Sequence, residues 1–73
     1  MTENTNIAHR GPIFDLLASL TPGESIEEVF INGKKESVET FASFNRFTGL
    51  VTFVKGNNEV LLVDYRRIDA IQR

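Results

Sequence analysis

Two short clusters carry most of the side chains able to do chemistry in this 73-residue chain: Asn45-Arg46-Phe47, within FASFNRF, and Tyr65-Arg66-Arg67, within DYRRI. Each sets cationic and hydrogen-bonding groups beside an aromatic ring, a combination suited to meeting an anion. Both also have plainer readings. Arg66 and Arg67 serve equally as a solvated turn paired with Asp64 and Asp69, where exposed ion pairs contribute about 0–1 kcal/mol. Phe41, Phe44 and Phe47 recur at every third position and serve equally as core, Phe44 above all.

Catalysis is not expected. Glu27, Glu28, Glu36 and Glu39 are paired carboxylates, but no histidine or nucleophile accompanies them, so acid–base work has no second member and a solvated acidic strand face is the simpler reading. Lys34 and Lys35 flank a turn and read as solvating. The only histidine, His9, falls in the polar segment MTENTNIAH. There is no Gly-rich phosphate loop and no metal-ligand spacing, so no cofactor is expected.

The chain is short enough to bury only about 60% of its unfolded surface, which leaves one marginal core. It has no cysteine, which removes disulfides and thiolate metal sites as stabilisers. Self-association is the stabiliser that remains. Eight Lys and Arg against ten Asp and Glu give a net charge of −2, so any anion site has to be local. No run is apolar enough for a membrane span, and the first residues lack the core of a secretion signal; a soluble cytoplasmic protein is expected.

The elements that must position the two clusters are legible from period and turn chemistry. Residues 1–10 have no period and are expected to form a flexible arm, with a single domain over 11–73. In GPIFDLLASLTPG, Pro12 suits a first helical turn, and Ile13, Phe14, Leu17 and Leu20 share one face of a helix of about ten residues that Thr21-Pro22-Gly23 ends. SIEEVFI then reads as a strand, and Asn32-Gly33 as a two-residue hairpin turn. KKESVETFASF is a second strand whose imperfect alternation predicts a change of facing midway. LVTFV (50–54) is a third strand, EVLLVDY (59–65) a fourth with burial on both faces expected from its unbroken apolar run, and IDAI (68–71) a fifth. The fold class is therefore mainly β: an N-terminal α-helix followed by a small five-stranded, strongly bent antiparallel barrel. An apolar fourth strand at an open edge invites pairing between copies of the chain.

Taken in order, INGKK (31–35), SFNRF (43–47) and DYRRI (64–68) resemble three segments of the Sm-like (Sm/Lsm) family, closest to its bacterial Hfq branch: the hydrophobic-Asn-Gly turn, the Ser-Phe-Asp-Gln-Phe loop and the stretch around Tyr-Lys-His. The resemblance covers roughly Pro12 to Ile71. It implies a homo-oligomeric ring of five to seven subunits that binds single-stranded RNA, often uridine-rich, at loops around a pore. It also implies that Asn45, Arg46, Phe47, Tyr65, Arg66 and Arg67 are the RNA-binding residues, with Phe47 stacking on a base and the arginines meeting phosphate or base edges. The family's glycine in the bent second strand is absent here, Arg67 stands where Hfq has histidine, and Asn45-Arg46 replace Asp-Gln. A ring used for protein interaction or scaffolding, without nucleic acid, is the alternative that the acidic balance favours.

Overall fold

The computed structural model describes residues 11–73, so the arm expected over 1–10, His9 included, lies outside the described residues. Helix α1 spans Pro12–Ser19, somewhat shorter than the spacing predicts. Gly11, at φ 100°, turns the chain into the helix, and Pro12 presets the backbone of the first turn. Phe14, Leu17 and Leu20 are buried, whereas Ile13 is only partly covered.

Six strands follow: β1 (Glu28–Ile31), β2 (Lys34–Ser37), β3 (Thr40–Phe44), β4 (Leu50–Val54), β5 (Val60–Asp64) and β6 (Ile68–Gln72), with one turn of 3₁₀ helix at Tyr65–Arg67 before β6. The β1–β2 hairpin forms where Asn32-Gly33 predicts it. Both residues have positive φ, 52° and 83°, and Ile31 pairs with Lys34 across the turn.

The segment read as one second strand is two. It breaks at Val38-Glu39, and its halves enter different antiparallel sheets, ordered β2-β1-β6 and β3-β4-β5. The break is well bonded: Val38 N–H donates to the Glu27 carbonyl at 3.1 Å, while Glu39 N–H donates to the Val54 carbonyl at 2.8 Å. Adjacent amides thus serve opposite sheets, which makes the bend without a glycine. Among the described residues no ladder joins β5 to β6, so the strands form two three-stranded antiparallel sheets in place of the single five-stranded bent barrel expected.

A second irregularity explains the three-residue aromatic spacing. Phe41 pairs with Phe53 and Ser43 with Thr52, so Ala42 is bulged and the facing changes by one residue. Phe41 therefore enters the core, and Phe44, three residues on, packs against it from the side. Phe41, at 2% exposure, is the deeper of the two, although Phe44 looked the better anchor. Helix and sheets share one core, centred on Leu17, Ile26, Val29, Val51 and Phe53. Each such side chain gains about 1.5–3 kcal/mol from burial.

Strand β5 departs from expectation. Val63 is buried and Leu61 partly so, but Val60 and Leu62 are 58% and 61% exposed. The strand is an edge, and alternation turns half its apolar residues toward a face that none of the other described residues covers. Glu28 and Glu36, expected on a solvated face, are partly exposed there and pair with Lys35 (3.5 Å) and Lys55 (3.3 Å). Among the described residues, no helix is long and apolar enough to cross a membrane.

Candidate functional site

The loop between β3 and β4 is built by its own first residue. The Asn45 side-chain oxygen accepts the N–H groups of Phe47 at 2.9 Å and Thr48 at 3.1 Å, and the Asn45 carbonyl accepts from Gly49 N–H at 2.7 Å. Short polar side chains hold turns in this way. Asn45 thus shapes the loop with the oxygen that would otherwise meet a ligand.

Arg46 reaches away from the loop. Its guanidinium donates to the Ala18 carbonyl at 3.2 Å, in the last turn of α1, which has no basic residue of its own. A cation there complements the negative end of the helix dipole. Phe47, by contrast, is 99% exposed on a backbone fixed by the Asn45 bonds. Its ring is fully available for stacking.

The second cluster starts from Asp64. One of its carboxylate oxygens accepts Arg66 N–H at 2.9 Å, which caps the 3₁₀ turn. The same carboxylate grips the Arg66 side chain through Nε at 2.9 Å and Nη2 at 2.7 Å. These bonds hold the Asp64 carboxyl at about 2, first through the Arg66 side chain and then through its backbone N–H, and they raise Arg66 in turn. The Arg66 guanidinium also lies 5.6 Å from the centre of the Tyr65 ring, within cation–π range.

Tyr65 belongs to a three-ring cluster. It meets Phe14 and Phe44 edge-on at 5.2 and 5.9 Å, and those two rings lie 5.1 Å apart. Edge-to-face pairs of this kind contribute about 0.5–1.5 kcal/mol beyond area burial. Tyr65 is thereby a structural residue as much as a surface one.

The two clusters meet at Gly49. Its carbonyl accepts Tyr65 N–H at 2.9 Å. A methyl group added at Gly49 would sit 3.1 Å from the Tyr65 ring and 3.6 Å from Arg66 Nη2. The fold therefore docks the loop bearing Phe47 against the turn bearing Tyr65 and Arg66. Arg67 is directed elsewhere: it lines a groove with Ile31, Lys34, Leu50, Leu62 and Asp64, while Arg66 lines one with Pro12 and Ile13. Among the described residues, the Arg67 guanidinium has no ion-pair or hydrogen-bond partner.

The pairing of the arginines with Asp64 that the sequence offers is found for Arg66. Gly49, and Lys34 in the groove that Arg67 lines, are not singled out from sequence as site residues, and Gly49 leaves only the faint signal of a glycine shortly after a turn. Asp69, considered as an ion-pair partner for the arginines, instead accepts Gly33 N–H at 2.7 Å and ties the hairpin turn to β6. Among the described residues, no group of three or more His, Asp or Glu is placed to hold a metal. Comparison of the chain with protein-family models, curated proteins and solved structures finds no match in any of the three.

Proposed function

We propose that the chain is an Sm-like subunit that assembles edge to edge into a homo-oligomeric ring of five to seven copies and binds single-stranded RNA, acting in the cytoplasm as an RNA chaperone or regulator. Counted as halves of one strand kinked at Val38-Glu39, β2 and β3 reduce the six strands to five, which with α1 is the element order of an Sm-like domain. The observation that carries the reading is the docking of the Phe47 loop on the Tyr65–Arg67 turn through Gly49. The Sm-like resemblance assigns RNA contacts to these same two segments.

Assembly is supported by the outer edges of β5 and β6, which pair with no other strand among the described residues, and by Val60 and Leu62 exposed on β5. Repeating one strand-to-strand contact closes a ring when the rotation permits. A ring would repeat Phe47 and Arg67 once per subunit around a common axis, concentrating aromatic faces and positive charge on a chain whose net charge is −2.

Solution mass and titration with oligouridylate and oligoadenylate at low and high salt test the two halves of the reading. The expected result is a mass of five to seven chains with binding that weakens as salt rises. A monomer would remove the ring, and an assembled ring that binds neither oligomer would remove the RNA. One observation favours the second reading, a ring or barrel for protein interaction: the Asn45 side-chain oxygen, Arg46 Nη2 and Arg66 Nε and Nη2 are all engaged within the chain. Arg67→Ala separates the two, since scaffolding through other faces survives that change and RNA binding does not.

A further inference from the structure

Arg66 and Arg67 are neighbours in sequence with opposite circumstances. Arg66 is gripped by both oxygens of Asp64, at 2.9 and 2.7 Å, while the Arg67 guanidinium has no hydrogen-bond or ion-pair partner among the described residues and interacts with Asp64 only through charge at longer range. The two-pronged geometry around Arg66 is the one a phosphate diester would offer, since a carboxylate and a phosphate present the same pair of oxygens to a guanidinium fork. Asp64 thus occupies the position of an anionic ligand.

We propose that Asp64 is a built-in competitor for ligand phosphate at Arg66, so that Arg67 is the first cation a nucleic acid engages and Arg66 is recruited only by a strand that displaces the carboxylate. The proposal rests on the RNA-binding reading above and deepens it by dividing the two arginines between roles. The exchange is physically open. The ion pair is exposed, with 66% of the Arg66 side chain accessible, so releasing it costs little. The carboxylate also has a second duty that holds it in place when Arg66 leaves, because it caps the Arg66 backbone N–H. Tyr65 keeps the guanidinium near the site while it changes partners, its ring centre 5.6 Å away.

Substituting Asp64→Asn tests this. The amide oxygen can still accept the Arg66 N–H, so the 3₁₀ turn is retained, while the charge that competes with phosphate is removed. The probe is a labelled oligouridylate titrated against wild type and D64N over a range of salt concentrations. The expected result is affinity about two- to fivefold tighter in D64N, the scale of an exposed pair, and a log–log salt slope steeper by about 0.7 for each subunit that gains a phosphate contact. A change acting only through the fold would not steepen the slope. Adding Arg66→Ala to D64N is expected to abolish the gain. Equal or weaker binding by D64N, with wild type still binding, overturns the competitor role and leaves the RNA reading intact. Failure of both proteins to bind at low salt overturns both.

Discussion

The backbone N–H of Tyr65 donates to the carbonyl of Gly49 at 2.9 Å, and the Gly49 Cα packs against the Tyr65 ring so closely that a side chain there would press on it. This contact joins two loops distant in the sequence and sets the relative positions of Phe47, Tyr65 and Arg66. A glycine is favoured on two grounds: the φ of 84°, and a Cβ that would lie 3.1 Å from the Tyr65 ring, close enough that the ring has to shift. Gly49→Ala is therefore expected to destabilise the fold by about 1–3 kcal/mol, combining left-handed strain with displacement of the ring. Urea unfolding monitored through the tyrosine signal measures it, and a midpoint within error of wild type would contradict the docking role.

Phe47 separates stability from binding. With 99% of its surface exposed, its removal leaves no cavity, so Phe47→Ala is expected to shift stability by less than about 0.5 kcal/mol. If the ring stacks on a base, the same change weakens RNA binding by about 1–3 kcal/mol for each base concerned. Unfolding and titration of the one variant give both readings, and a large loss of stability would place the ring in a contact the single chain does not show.

Arg46 makes the opposite case. Its bond to the Ala18 carbonyl supplies the cation that the last turn of α1 lacks, so Arg46→Ala is expected to cost about 0.3–1 kcal/mol of stability. The loss should fall as salt is added, and a salt-independent loss would point to packing of the arginine stem instead.

Leu62 probes assembly. It is 61% exposed on β5, whose outer edge pairs with no strand among the described residues. Leu62→Lys defends that edge with charge. The expected outcome is a fall in solution mass toward the single-chain 8.2 kDa with the circular dichroism spectrum preserved. A variant that keeps the wild-type oligomeric mass would exclude this edge from the interface.

The Asp64–Arg66 pair has a defined pH signature. The folded carboxyl is held at about 2, below its ordinary 3.8. A depressed folded value means that the pair's contribution is fully present above the ordinary value and is lost as pH falls through about 2. Stability of wild type should therefore fall between pH 4 and 2 by more than that of D64N, and unfolding curves across that interval compare them. Parallel curves would show that the clamp does not persist in solution.

Much of the chain was legible because local chemistry decides it. Pro12 and the apolar spacing after it place α1, Asn32-Gly33 places the hairpin, and the runs at 50–54 and 68–71 are strands within a residue of where they were expected. The site was legible only as two clusters. That Asn45 spends its side chain on its own loop, and that Arg46 turns to the helix end, follows from hydrogen bonds whose partners periodicity does not reveal.

What the sequence by itself determined is the set of elements, because helix starts, tight turns and strand runs depend on the backbone preferences of a few adjacent residues. Only the tertiary structure decided where the long second strand breaks, which half of β5 stays exposed, and that Gly49 meets Tyr65. Those outcomes depend on which distant groups compete for the same hydrogen bonds and the same volume. The break at Val38-Glu39 exists because Glu27, just before β1, and Val54, at the end of β4, each accept one of two neighbouring amides. The exposure of Leu62 exists because the alternation of a strand is blind to whether its second face will find cover.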